Sequence, residues 1–291
     1  MRTHLQRLWG NLGPGLLYAG AAVGVSHLVM STKAGAKYEF LLLLLIPLIH
    51  LIKYPFYKFG PQYTALTGRN ILHGYSALGK WALALYIGMT LLSMCLIQAA
   101  VTLVASSIAV TFFGLSIPAE YMPHLPAILL LMVAAMILYI GQYSLLDKVM
   151  KGVIIVLALT TLASLALVFM EASGVPKARP EFSLTNYADL MFLAAFLGWM
   201  PAPMDVSVWH SVWSEESQSA ENKKVLDKVQ DNDTMKKAML DFKVGFFGTA
   251  LLAMAFLSLG ALVMFGNGST PSNNGAVFAG QIIRLYTESL G

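Results

Sequence analysis

The chain has 291 residues, of which 57% are apolar and only 12% are charged. Its mean hydropathy of +0.67 lies far outside the range of soluble domains, so the composition excludes a soluble enzyme and predicts an all-α integral membrane protein. The sequence has no complete phosphate-binding glycine loop, no nucleophile elbow and no HExxH motif. Catalysis is therefore the least favoured class of function, and we expect no cofactor.

Seven hydrophobic runs with few or no charges recur along the chain. Each is long enough to cross a hydrocarbon core of about 30 Å, which takes roughly 20 helical residues. The single cysteine, Cys95, falls in the third run, where we expect a buried thiol outside any disulfide or metal site. We predict seven transmembrane helices, called span 1 to span 7, over residues 10–32, 40–66, 81–113, 125–146, 152–170, 186–211 and 244–266.

Most of the basic residues lie in segments on the same side of the membrane. Most of the 19 Lys and Arg residues fall in segments that share a side with the N-terminus, whereas the opposite side holds Lys33, Lys37, Lys177, Arg179 and Arg284. The positive-inside rule then places the N-terminus in the cytoplasm. We expect a protein of the bacterial inner or plasma membrane that contacts lipid and a substrate, with no nucleic acid and no obligatory protein partner.

Two spans carry residues that interrupt a helix. Span 1 is rich in glycine as far as Gly24, and span 6 contains Gly198, Pro201 and Pro203. Two prolines two residues apart remove two backbone donors and clash with the preceding turn. Because unwound backbone at membrane depth is tolerated only beside protein or a wet cavity, we predict that helices 1 and 6 are broken at the midplane, around a site.

The two interrupted spans are five spans apart. A five-helix unit repeated with inverted topology brings its broken first helices together at the midplane, where secondary transporters bind their substrates. This predicts a single transmembrane domain over residues 1–291, with a first repeat at about 10–172 and the start of a second, incomplete repeat at about 186–291.

Asp205 is the strongest candidate for a functional side chain. Of the 15 acidic residues, it alone falls well inside a predicted span. On membrane-insertion scales, a carboxylate at the centre of a transmembrane helix costs about 2.5–3.5 kcal/mol. Asp205 should therefore face a cavity, a partner or a bound cation. It also follows Pro203, where a half-helix could begin, so a role as helix cap is an alternative that can coexist with a binding site.

Two side chains near the breaks could join Asp205. His27 in span 1 could supply an imidazole to the same cavity, or it could only bond a neighbouring helix. Met204 carries a thioether, a soft ligand that favours transition metals over magnesium or calcium. Most of the 16 methionines must be packing residues, so packing is the alternative for Met204 as well.

Three further polar residues are candidates for a proton pathway or a gate. His210 and Ser211 follow Asp205 on the cytoplasmic side and could relay protons, or form a packed polar pair near the inner interface. Lys53 in span 2 could extend its ammonium group to the inner interface or form an internal ion pair with Asp205.

The order of these features resembles the Nramp family of proton-coupled divalent-metal transporters. The likeness is carried by GPGLLYAG in span 1, STKAGAKYEF at the exit of span 1, TGRN after span 2 and VWHS at the end of span 6. The resemblance implies a leucine-transporter-like fold with inverted five-helix repeats. It also implies a C-terminally incomplete chain, because that family normally has ten or more spans.

The family's two metal-binding motifs are altered here. Its first broken helix carries Asp-Pro-Gly-Asn, which falls on residues 24–27 and places histidine at the asparagine position. Its sixth helix carries Met-Pro-His, which falls on residues 203–205, with Met200-Pro201 as a second possible alignment. The resemblance therefore implies a metal site built from side chains and freed backbone carbonyls at Asp205, His27, Met204, Gly24 and Ala202.

The predicted function is secondary active transport of a divalent metal cation of the Mn or Fe type, which would be substrate and not cofactor. Proton symport stays open, because the family uses carboxylates in its third span and residues 40–119 of this chain contain no Asp or Glu. The alternatives are the same fold carrying another cation or a small solute, and a membrane sensor or scaffold that does not transport.

Overall fold

The computed structural model describes residues 13–171, 180–221, 232–265, 271–272 and 275–290. Within these ranges every regular element is helical. The all-α fold class predicted from composition is therefore confirmed.

The described residues form α-helices joined to two π-helical segments and one short 3-10 turn. The π-helical segments are π1 (Val23–Ser31) and π2 (Gly260–Phe265). The α-helices are α1 (Pro14–Ala22), α2 (Thr32–Tyr38), α3 (Leu45–Thr67), α4 (Ile71–Leu78), α5 (Lys80–Phe112), α6 (His124–Glu171), α7 (Tyr187–Trp199), α8 (Val206–Glu221), α9 (Asn232–Leu259) and α10 (Gly275–Leu290).

The first discontinuous helix consists of α1, π1 and α2. Gly24 leaves helical geometry, with φ −67° and ψ −121°. The helix axes before and after this point differ by 45°. A Cβ added at Gly24 would meet no atom within 4 Å, so the backbone borders open space there. π-Helical turns inside α-helices are often found at functional sites, which directs attention to this segment.

The second discontinuous helix consists of α7 and α8. α7 ends at Trp199 and α8 begins at Val206, so residues 200–205 form a non-helical connection. Pro201 and Pro203 lie in this connection, and neither can donate a backbone hydrogen bond to continue the helix.

The structure interrupts α6 a few residues before the junction predicted between spans 4 and 5. The helix runs continuously across the expected junction at residues 147–151, and its interruption lies instead at Gln142, with φ 46° and ψ −152°. The reason is that Asp147 and Lys151 stand one turn apart and form an ion pair of 2.7 Å. Such an i,i+4 pair supports a helix, so these charges continue α6 where we had expected them to end it.

Three described helices are long and apolar enough to cross a membrane: Lys80–Phe112, His124–Met170 and Asp233–Phe265. The bent pair Pro14–Ala22 with Ser26–Tyr38 makes a fourth if it counts as one span. The predicted total of seven spans stays a prediction. The apolar windows of the three helices are 6%, 17% and 67% buried, in that order, so α9 is central while α5 and α6 are peripheral.

The residues that α5 buries are all polar, whereas many of its large apolar side chains are exposed. Its buried residues are Thr102, Ser106 and Ser107, all in its second half. Cys95 precedes them and is exposed, so the expectation of a buried thiol is wrong. An apolar exterior around small polar contacts is the arrangement expected where lipid, and not water, surrounds a helix.

Glycine residues permit the tightest helix crossings. Gly15 of α1 and Gly245 of α9 touch through their backbones, and a Cβ on either would collide with the other helix. Gly35 of α2 meets Gly260 and its neighbours at the start of π2 in the same way. Small residues let membrane helices approach closely, so both halves of the first discontinuous helix are held against α9 and π2.

Candidate functional site

The polar residues nearest the first break are His27 and Ser26 in π1. His27 is fully buried. Its Nδ1 lies 2.7 Å from the carbonyl oxygen of Ala22 and 2.7 Å from Ser26 Oγ. A carbonyl oxygen can only accept, so Nδ1–H is the donor and the ring keeps a lone pair on Nε2. That Nε2 is buried and has no hydrogen-bond partner in the part of the chain that the structure describes.

The ring of His50 in α3 lies next to His27. The two ring centroids are 6.4 Å apart and the ring planes are 77° apart. His50 is also buried, and its Nδ1 donates to the carbonyl of Ile46 at 2.7 Å. Its Nε2 lies 3.5 Å from Thr249 Oγ1 of α9. Sequence reasoning missed His50, although a histidine inside the apolar span 2 is the same signal that singled out His27.

Asp205 and Met204 border a cavity of about 880 Å³ between α3, α4, α5 and α8. The cavity wall is mostly apolar, and its aromatic residues include Tyr57, Trp81 and Tyr86. Asp205 is 8% exposed and Met204 is 64% exposed, so the carboxylate lies deeper than the thioether. His27 is absent from this cavity's lining. The structure thus brings together two of the predicted ligands and places the third against His50.

Asp205 also occupies the capping position of α8. Its backbone carbonyl accepts from the N–H groups of Val208 and Trp209, both at 3.0 Å. An N-cap residue accepts the first bonds of its helix in this way. These backbone bonds place Asp205 at the N-cap and leave its carboxylate available for a second use, so the two alternatives can coexist.

Lys53 follows neither of the alternatives predicted for it. Its Nζ donates to the carbonyl oxygens of Met200 at 2.6 Å, Leu197 at 2.7 Å and Gly198 at 3.3 Å. These carbonyls form the C-terminal end of α7, where the helix dipole favours a positive charge. Lys53 therefore joins α3 to the first half of the second discontinuous helix, and its ammonium group is not paired with Asp205.

Tyr57, one turn after Lys53 on α3, binds the next carbonyls of the connection. Its hydroxyl donates to the carbonyl of Ala202 and, at 3.2 Å, to that of Pro203. Ala202 is fully buried. Its carbonyl, which the sequence offered as a metal ligand, is thus already engaged by a protein donor. Gly24 at the other break has no comparable contact.

His210 and Ser211 point to different surroundings. His210 is 1% exposed, and neither ring nitrogen has a hydrogen-bond partner. Its ring stacks on Tyr18 at 5.6 Å and packs against Phe242 at 5.6 Å. Ser211 Oγ donates to the carbonyl of Val208 and accepts from the N–H of Ile71, which ties the start of α4 to α8.

Two other buried carboxylates have protein partners. Asp189 of α7 accepts from Lys37 Nζ at 2.9 Å and from the Tyr38 hydroxyl at 2.7 Å. Asp241 of α9 accepts from the backbone N–H groups of Gly13 at 3.0 Å and Gly15 at 2.7 Å. Sequence reasoning missed both roles, because Asp189 and Asp241 lie near the ends of hydrophobic runs and look like solvated flanks.

The ion pairs among the described side chains are Lys37–Asp189 and Lys151–Asp147. Asp205 belongs to neither. Over the same residues, no three His, Cys, Asp or Glu side chains come close enough together to hold a metal ion. The predicted ligand set therefore stays a prediction. Asp205 and Met204 border one cavity, whereas His27 lies elsewhere, beside His50.

Two discontinuous helices packed against a central apolar helix, with buried polar groups at both interruptions, are an arrangement found in helical secondary transporters. The sequence profile described as "Natural resistance-associated macrophage protein-like" matches residues 15–285. The chain belongs to the Nramp family.

The relatives found are much longer than this chain. It is 36% identical over 284 residues to an uncharacterized protein, PM0681, of Pasteurella multocida strain Pm70. That match covers 96% of the chain and 62% of the relative. Among solved structures, the Eremococcus coleocola manganese transporter superposes with a TM-score of 0.61 at 12% identity, covering 99% of this chain and 64% of the transporter. The chain thus spans less than two thirds of either relative, and the second match supports the fold alone.

Proposed function

We propose that this protein transports a divalent metal cation of the Mn or Fe type across the membrane as a secondary active transporter. The observation that carries the proposal is the position of Asp205, a buried carboxylate without an ion-pair partner among the described residues, at the interruption of a discontinuous helix in an Nramp-family chain. A buried carboxylate of this kind is stabilised when a cation binds beside it.

The neighbouring side chain suits the proposed cargo. Met204 precedes Asp205 and lines the same cavity. A carboxylate is a hard ligand and a thioether a soft one, and together they favour a transition metal over magnesium or calcium. The bound metal ion can still be released, because Met204 is largely exposed and Asp205 alone attracts the ion with a charge.

Proton coupling and gating belong to the proposal as well. His210 offers two buried nitrogens without partners, which makes it the candidate proton carrier. Lys53 is the candidate gating residue, because it fixes the end of α7 to α3 through three carbonyls. Ser211, which joins α4 to α8, would transmit a movement of α8 to the cytoplasmic side.

Replacement of the carboxylate tests the site. We expect Asp205→Asn and Asp205→Ala to abolish uptake of Mn²⁺ into liposomes that contain the protein, because the only charge facing the cavity from α8 is lost. Asn is a good N-cap residue, so Asp205→Asn preserves the start of the helix. The matched control is Glu120→Gln, an exposed acidic residue outside the cavity. Uptake by Asp205→Asn at the wild-type rate would refute the assignment of Asp205.

One observation favours a second candidate function, the transport of a small organic cation. A cavity of about 880 Å³ is far larger than a metal ion and lies within the size range of small-molecule sites. Aromatic faces around a carboxylate attract quaternary ammonium groups. Competition separates the candidates: inhibition of Mn²⁺ uptake by Co²⁺ but not by tetraethylammonium supports the metal, and the reverse result supports the organic cation.

A further inference from the structure

The paired histidines His27 and His50 have the same unusual arrangement. Each donates Nδ1–H at 2.7 Å to a carbonyl in the preceding helical turn, Ala22 for His27 and Ile46 for His50. Metal-binding histidines almost always donate their second ring nitrogen to a carbonyl or carboxylate, which fixes the ring and its tautomer. These bonds fix the tautomer, so that each neutral imidazole carries its lone pair on Nε2.

These lone pairs lie in a buried setting. His27 Nε2 has no hydrogen-bond partner among the described residues, and an unpaired buried nitrogen costs free energy. The hydroxyl of Thr249, 3.5 Å from His50 Nε2, also lies 2.7 Å from the carbonyl of Phe246. Since that carbonyl takes the hydroxyl proton, the oxygen of Thr249 keeps its own lone pairs beside Nε2 of His50.

We infer that His27 and His50, with Thr249 beside them, form a second cation site for borderline transition metals such as Zn²⁺, Co²⁺ or Ni²⁺. The ring centroids, 6.4 Å apart, leave room for one ion, since each metal–nitrogen bond takes about 2.0–2.1 Å. The site joins π1, α3 and α9, whereas the Asp205 cavity lies between α3, α4, α5 and α8. It rests on the proposed function only in that the protein handles metal ions.

The chemistry of the site sets its selectivity. Imidazole suits zinc, copper, iron and nickel, and oxygen ligands suit magnesium and calcium. Two neutral imidazoles and a hydroxyl leave coordination positions open, which suits an ion that exchanges more than one held for structure. Protonated imidazole cannot bind a metal, so binding weakens as the pH falls.

Co²⁺ binding to the full chain in detergent tests the site directly. We expect visible absorption from bound Co²⁺ and displacement by Zn²⁺ but not by Mg²⁺. His27→Ala and His50→Ala should each weaken Co²⁺ binding at least about tenfold, because each removes one of two nitrogen ligands. His73→Ala, an exposed histidine on α4, is the matched control and should bind as the wild type does.

A second measurement does not depend on how the variants fold. X-ray absorption of Zn²⁺ bound to the wild-type protein should show two imidazole ligands, and a zinc shell without imidazole would overturn the inference. Unchanged Co²⁺ affinity in folded His50→Gln would overturn it as well. Either result leaves Mn²⁺ uptake through Asp205 intact, whereas imidazole-bound zinc without any Mn²⁺ uptake would refute the proposed transport and keep the site.

Discussion

Lys53 illustrates how a charged side chain is accommodated in this protein. Its four-carbon stem runs along α3 while its ammonium group meets three carbonyls of α7. Charge-assisted hydrogen bonds of this kind are about twice as strong as neutral ones. The interruption after Trp199 frees these carbonyls, so the residue stabilises the end that the prolines create.

The role of Lys53 predicts a loss of stability when the charge is removed. Lys53→Met keeps the apolar stem but leaves the α7 carbonyls without their donor, and we expect a destabilisation of about 1–3 kcal/mol. Thermal unfolding followed by size-exclusion chromatography in detergent measures it. Lys53→Arg should retain most of the stability.

Lys58→Met is the matched control, since Lys58 lies on the same helix and is not among the donors to α7. Equal melting temperatures for Lys53→Met and Lys58→Met would show that the contacts with α7 contribute nothing.

At the scale of elements, α9 organises the structure. It packs against α1, α3 and π1, and it supplies both the Asp241 cap of α1 and the glycine crossing at Gly245. Asp241 receives two N–H groups at the start of α1, where a negative charge opposes the positive end of the helix dipole. The first half of the discontinuous helix is therefore fixed at its N-terminal end while its other end remains interrupted.

The crossing of α1 and α9 predicts opposite effects for two glycines one turn apart. A Cβ at Gly245 would collide with the backbone of Gly15, whereas a Cβ at Gly248 would meet nothing within 4 Å. We expect Gly245→Ala to destabilise the protein by about 1–3 kcal/mol through overpacking. Gly248→Ala should be neutral or stabilising by up to about 1 kcal/mol, because alanine is the better helix former.

Unfolding in increasing denaturing detergent compares the two glycine variants under the same conditions. A Gly245→Ala protein as stable as Gly248→Ala would contradict the close approach of α1 to α9.

At the scale of the whole molecule, the exposed apolar surface determines what must surround the protein. The apolar windows of α5 and α6 are only 6% and 17% buried, so these helices present large hydrophobic faces outward. Such faces need lipid or further apolar helices around them. The bias of the basic residues predicts which end of the bundle faces the cytoplasm.

The predicted orientation can be measured by labelling single cysteines. In a Cys95→Ala background, Glu181→Cys lies after span 5 and should react with a membrane-impermeant maleimide in intact cells. Glu216→Cys at the end of α8 should react only after permeabilisation, since it follows span 6 on the inner side. Both positions are exposed, so access does not limit the reaction. The reverse pattern would place the N-terminus outside.

The sequence-based predictions agree best with the structure where a feature is caused by residues that are close together in the sequence. Hydropathy predicted the helical membrane class, and the prolines at 201 and 203 coincide with the gap between α7 and α8. The boundary inside α6 was wrong because the pair Asp147 and Lys151 looks like a loop in composition and behaves as a helix turn. The number of charged residues in a segment cannot by itself distinguish a loop from a turn of helix.

The sequence by itself determined the membrane class, the helical fold and the segments where a helix is interrupted, because apolarity and missing backbone donors act within a few residues. Only the tertiary structure decided which side chains meet. Lys53 reaches carbonyls 144 to 147 residues away, and His27 lies against His50 and not beside Asp205. Those contacts depend on how α3 and α9 are rotated and packed against the discontinuous helices, and no local pattern encodes that packing.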